Sequence, residues 1–339
     1  MLGGYTSNEQ YYRRMISSIG VTMLALWILL NGIGMLLPSA EALVSVMVSS
    51  DVWVDIINQL LYGLLYFLAF TIPVFVLKAM IGRRGDVYYE TKTDLRLSAY
   101  LPAIVLGGIF LIFVQSTLNA ALVSIFQYAS FSEEVIWGTE TIVGYGVVLR
   151  FIVMALIPAF CEEFLFRGAI LTNLLPFGRT NAILISSLLF AIMHQNAEQV
   201  LYAFAAGVLL GVVYERTGSI WNCVFLHLMN NFSSIVMSIL PQKLHRDAEI
   251  GTTMASLLLF LVCGGCVVLL IRFLSPPRKQ FVQGIFNKSF PATDSYAACK
   301  LASGRCVSLF FSFPMVLFFL LSASQMITLI WMAVVFQYA

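Results

Sequence analysis

Six side chains that could do chemistry sit where an apolar helix would not be expected to carry them: Glu162, Glu163, Arg167, His194, His227 and Asn231. Ionisable groups inside a membrane-spanning segment are costly, and each is a candidate for function. Two of the protein's three histidines belong to this set; the third, His245, lies in Leu244-His245-Arg246-Asp247 and reads as solvated surface. Glu163 and Arg167 are four residues apart with the acid first, the favourable order for an ion pair on one helix. Glu162 points about 100° away from that pair. Without a local counter-charge, it has the setting of a general base working near neutrality. His227 and Asn231 are also four apart and share a helix face, so ring N–H and carboxamide N–H₂ can converge as an oxyanion site. Asn230, one step round the helix, reads as packing.

These groups need helices to hold them. The turn Pro176-Phe177-Gly178-Arg179-Thr180-Asn181 separates two apolar runs and predicts an antiparallel helical hairpin. Glu162 lies sixteen residues before Gly178 and His194 sixteen after, which sets both at about the same depth. Gly207-x-x-x-Gly211 follows, a small-residue face that lets a neighbouring helix come close. Nine runs have the length and apolarity of spans or nearly so: 15–37, 54–81, 100–127, 143–175, 180–197, 200–214, 219–240, 253–274 and 306–336. Pro158 predicts a kink within the fourth. The first run, followed by LLPSAEA, exceeds the length of a signal-peptide core and reads as an uncleaved anchor.

The whole composition agrees. Of 339 residues, 60% are hydrophobic and 11% charged, against about 25% charged in soluble domains. That excludes a soluble enzyme or a secreted disulfide scaffold, and a net charge of +2 without a basic block gives nucleic acid no footprint. Cys263 and Cys266 have C-x-x-C spacing but sit inside LLLFLVCGGCVVLL, where small residues pack a helix. Cys161 would need a cationic neighbour to act as a thiolate and has Glu162 instead. The expected architecture is an all-α, polytopic transmembrane bundle of about eight to nine spans. With the N-terminus cytoplasmic, sixteen Lys and Arg fall on the inside, Arg167 counted among them, and only Lys243 and Arg246 outside. The stretch 275–305 reads as a basic cytoplasmic loop.

At these residues the sequence resembles the CPBP family of intramembrane proteases, which includes the CAAX prenyl endopeptidases and the abortive-infection and bacteriocin-immunity-like proteins. The family's signature is E-E-x-x-x-R, F-x-x-x-H and H-x-x-x-N on separate helices. Here it reads Glu162-Glu163-(x3)-Arg167, Phe190-(x3)-His194 and His227-(x3)-Asn231, with Arg216-Thr-Gly-Ser-Ile-Trp221 also similar. The resemblance covers roughly 145–240 and implies an endopeptidase of membrane-associated peptides or proteins. It implies a water activated by Glu162 with His194, and an oxyanion held by His227 with Asn231. Glu163 and Arg167 are read as supporting residues.

An older view of such proteins makes Glu162, His194 and His227 zinc ligands. The sequence lacks H-E-x-x-H, and no cofactor is expected, zinc being the alternative. The run 306–336 looks additional to the eight spans usual in the family. On this reading 1–142 and 241–339 are flanking transmembrane helices around a catalytic core at 143–240. The expected partners are a peptide or protein substrate and the bilayer of the cell membrane, with no nucleic acid. A catalytically silent scaffold or immunity protein of the same fold is the alternative function. An ion-coupled transporter is disfavoured by the lack of an inverted repeat.

Overall fold

The computed structural model describes residues 7–83, 108, 145–239 and 303–338. The expected spans at 100–127 and 253–274, the Cys263–Cys266 pair, His245 and nearly all of 275–305 lie outside the described residues. Those described form helices and connecting turns, with no strand among them. Among the described residues, three helices are long and apolar enough to cross a membrane: Ser7–Met47, Asp51–Arg83 and Gln199–Thr217.

Helix α1 (Ser7–Met47) runs through Pro38 and the LLPSAEA stretch without a break. At 41 residues it is about 60 Å long, twice a bilayer's hydrocarbon thickness. Its buried residues, Glu9 to Leu26, all lie in the first half. The second half turns large apolar side chains such as Met35 and Val46 outward. Helix α2 (Asp51–Arg83) packs antiparallel on α1 after a three-residue turn.

Helix α3 (residues 145–177) is continuous but unevenly wound. Its α-helical pieces Tyr145–Arg150, Ile157–Glu163 and Thr172–Leu174 alternate with wider π turns at Phe151–Leu156 and Phe164–Leu171, and Leu175–Phe177 closes it as a tight 3₁₀ turn. Pro158 has no N–H to give the preceding turn, and a π stretch ends two residues before it, at the place where a kink is expected. Gly178, at φ 137°, makes the turn that L side chains resist. Helix α4 (Arg179–Met193) then folds back on α3, so the predicted hairpin is present. Phe166 and Phe190, each twelve residues from Gly178, meet with ring centroids 5.3 Å apart. The register inferred from counting residues therefore holds one turn nearer Gly178 than Glu162 and His194.

Helix α5 (Ala197–Thr217) is longer than the run 200–214 indicated. A Cβ on Gly207 would lie 3.0 Å from Ser187 Cα, and one on Gly211 3.0 Å from an Ile183 methyl. Both glycines therefore serve the close approach of α5 to α4, as their spacing predicts. Helix α6 (Ile220–Ile239) packs against α3 and α5. The run 306–336 is not one span: it is divided into α7 (Ser303–Phe310) and α8 (Phe313–Tyr338). Pro314 is the reason, since it fits a helix's first turn and not its interior. Residues 303–305, assigned to the basic loop, belong to α7. Side chains from α1 through α8 share one buried cluster.

Candidate active site

The two carboxylates close the α-helical piece Ile157–Glu163, directly before the π turn Phe164–Leu171. Such turns change the angle at which successive side chains leave the helix and recur at functional sites. Glu163 and Arg167 pair as expected: Arg167 Nη1 donates to Glu163 Oε1 at 2.8 Å, with both side chains fully buried. Arg167 Nη2 donates to the Gly207 carbonyl at 3.2 Å, and the guanidinium lies 4.5 Å over the Phe190 ring. Arg167 is thus a core residue. It does not belong with the inside loop cations, whose number falls from sixteen to fifteen.

His227 reaches both acids from α6. Its Nδ1 lies 2.8 Å from Glu163 Oε1 and its Nε2 4.0 Å from Glu162 Oε2. A carboxylate oxygen only accepts, so Nδ1 carries the proton and Nε2 faces Glu162. Glu162 is buried as well. Its Oε1 accepts a 2.6 Å hydrogen bond from the Tyr66 hydroxyl of α2, while Oε2 has no hydrogen-bond partner among the described residues.

His194 ends α4. Its Nδ1 donates to the Phe190 carbonyl at 2.8 Å, which leaves Nε2 the lone-pair nitrogen. The next residue, Gln195, takes the left-handed conformation at φ 55°, rare outside glycine. Its side-chain oxygen accepts from Asn31 Nδ2 of α1 at 3.2 Å. The Phe190 ring is common to both imidazoles, with centroids 5.0 Å from His194 and 5.8 Å from His227.

Asn231 is oriented at one remove. The Tyr202 hydroxyl of α5 donates to Asn230 Oδ1, and Asn230 Nδ2 donates to Asn231 Oδ1 at 3.3 Å. That arrangement occupies the Asn231 oxygen and leaves its N–H₂ as the end able to donate elsewhere.

Glu163, Arg167 and His227 therefore form one bonded cluster, and Glu162 stands 4.0 Å from His227 at its edge. His194 joins it across the Phe190 ring, and Asn231 follows His227 by one turn. His227 Nε2 approaches Glu162 Oε2 to 4.0 Å, while residue counting points to His194 as the histidine at that depth. Tyr66, Asn31, Gln195 and Tyr202 were not found by sequence reasoning, and Asn230 was read as packing. Each is a polar residue in an apolar run whose partner is distant in sequence or on another helix. As zinc ligands, Glu162, His194 and His227 do not fit: no three His, Cys, Asp or Glu among the described residues group to hold a metal.

Residues 144–233 match the model of the family described as Type II CAAX prenyl endopeptidase Rce1-like. Every residue of the three motifs lies inside that stretch. Over 107 residues the chain is 33% identical to "Putative membrane peptidase YdiL" of Bacillus subtilis (strain 168), covering 31% of this chain and 43% of that protein. The match thus spans less than half of that relative's length. No solved structure matches the chain. The resemblance read from the motifs is borne out by the family match and this relative. Together with the long apolar helices, they make the chain a membrane protein similar to membrane proteases.

Proposed function

We propose that the protein is an intramembrane endopeptidase that hydrolyses a peptide bond of a membrane-associated peptide or protein. One observation carries the reading: in the interior of an apolar bundle, Glu162 Oε2 and His227 Nε2 stand 4.0 Å apart. That spacing is too long for a direct hydrogen bond and suits one shared water. Glu162 accepts a proton from this water, and His194, with its Nε2 lone pair, assists. The water oxygen attacks the scissile carbonyl carbon, whose C=O electrons become an oxyanion. The intermediate collapses with loss of the amine, which takes back the proton held at Glu162 or His194.

His227 and Asn231 bind the oxyanion. Because His227 Nδ1–H is held by Glu163, Nε2 can donate only when both ring nitrogens carry protons. Glu163 stabilises that cation, and Arg167 fixes Glu163. These two are supporting residues. Substrates of such an enzyme are peptides or protein tails at the bilayer. The flanking regions 1–142 and 241–339 are read as differing from the core at 143–240 in role, and their described helices α1, α2, α7 and α8 pack into its buried cluster. We place the protein in the cell membrane as a multi-pass protein with its N-terminus cytoplasmic.

The test compares membrane and secreted peptide pools from cells carrying wild type or Glu162→Gln at matched expression. The proposal expects a defined fragment present only with wild type. Identical pools from two inserted, folded proteins would favour a silent scaffold.

A further inference from the structure

Residues outside the matched stretch reach the acid at its centre. Glu162 Oε1 accepts its hydrogen bond from Tyr66, 96 positions earlier and on α2. At 2.6 Å the bond is direct and at the short end of the hydroxyl–oxygen range. The Tyr66 ring has little freedom to swing away. It stacks on Phe70 with centroids 4.7 Å apart, and Tyr62 lies against it at 5.9 Å. Helix α2 is also brought unusually near α3 one turn earlier. A Cβ on Gly63 would stand 3.1 Å from Ile157 Cδ1 and 3.3 Å from a Val153 methyl. A larger residue there would push α2 outward, and the Tyr66 hydroxyl with it.

We propose that Tyr66 is a positioning residue that holds Glu162 in the orientation needed to take a proton from water. The proposal rests on the reading of Glu162 as the base. A carboxylate on a helix can rotate about several bonds, and a base must present one lone pair along one line. With Oε1 engaged by Tyr66, Oε2 is the oxygen turned towards His227 Nε2, where the reacting water is placed. Tyr66 touches neither water nor peptide in this scheme. The N-terminal helices thereby complete the active site, and the segment 144–233 lacks one of its parts.

Tyr66→Phe retains the ring and its stacking and removes one hydroxyl. The substrate is the uncut precursor that accumulates in Glu162→Gln cells, assayed with full-length enzyme in lipid nanodiscs. The expected result is a kcat reduced roughly 10- to 100-fold, the range for losing one hydrogen bond to a charged group. KM and thermal midpoint should stay at wild-type values. Phe70→Leu disturbs the same stack without removing the hydroxyl and should lower the thermal midpoint with kcat largely kept. If Tyr66→Phe loses kcat only in proportion to folded protein, or keeps full kcat while Glu162→Gln is inactive, the positioning role is overturned. A Glu162→Gln enzyme that cleaves like wild type overturns instead the reading of Glu162 beneath it.

A substrate-free measurement stands beside these. In protein labelled with carbon-13 at glutamate, Tyr66→Phe should shift an infrared carboxyl band that Glu162→Gln removes. An unchanged band would contradict the hydrogen bond itself.

Discussion

Glu163 Oε1 receives two donors, the Arg167 guanidinium and the His227 ring, and both bonds are 2.8 Å. Removing the guanidinium would leave a buried carboxylate without its cation. Arg167→Met should therefore destabilise the protein by about 3–5 kcal/mol, the range for breaking one side of a buried pair. Thermal unfolding in detergent measures this, and a wild-type midpoint would show the pair to be dispensable. The Tyr202–Asn230–Asn231 chain gives a gentler test. Tyr202→Phe frees Asn230 and loosens the amide proposed to bind the oxyanion. Its cost in kcat should be clear but smaller than the ~10²–10³-fold typical of deleting such a donor outright. An Asn231→Ala variant supplies the reference; equal losses from the two would contradict an indirect role. The six motif side chains were legible in sequence because charge and amide groups stand out in apolar runs. Tyr66 and Tyr202 were not, since a tyrosine in an apolar helix is a common packing residue. Only the fold places their hydroxyls against an acid and an amide on other helices.

Element positions were readable where a backbone need had a residue type to mark it. Gly178 marked the hairpin, and the residue count about it gave the register that Phe166 and Phe190 confirm. Gly207 and Gly211 marked the contact of α5 with α4. The π turns of α3 had no such mark, for i→i+5 winding reflects how a helix is packed. The break at residues 311 and 312 does have a mark in Pro314, but apolar side chains continuing on both sides make the run read as unbroken. Gly207→Leu tests the glycine contact. Its Cβ begins 3.0 Å from Ser187 Cα, a backbone atom that cannot yield by changing rotamer. Overpacking of this kind costs roughly 1–3 kcal/mol. The variant should unfold at lower temperature and also lose activity, because the Gly207 carbonyl holds Arg167. Unfolding at the wild-type midpoint would contradict the close approach.

Across the whole molecule, apolar side chains point outward as well as inward. Met35, Val46, Phe75, Phe313 and Trp331 are all exposed. Lipid tolerates such a surface where water would not, in keeping with the long apolar helices. The proposed orientation rests on charge: fifteen Lys and Arg on the expected inside against two outside remain a strong bias after Arg167 is moved to the core. A fluorescent protein fused ahead of Met1 should therefore mature in the cytoplasm, and a fusion that is accessible to external protease would reverse the assignment. The described helices also explain what the flanking regions contribute. Helix α1 holds Gln195 beside His194 through Asn31, and α2 holds Glu162 through Tyr66. Neither link had a signal in sequence, since each joins residues more than ninety positions apart.

The central claim is that Glu162 activates water to cut a peptide bond. It is tested most directly by incubating membranes from wild-type and Glu162→Gln cells in water labelled with oxygen-18. Hydrolysis writes the label into each new C-terminal carboxylate, so mass spectrometry reads the cut and its water together. Labelled C-termini are expected in wild-type membranes and absent from Glu162→Gln membranes. The same labelled termini in both would contradict the claim.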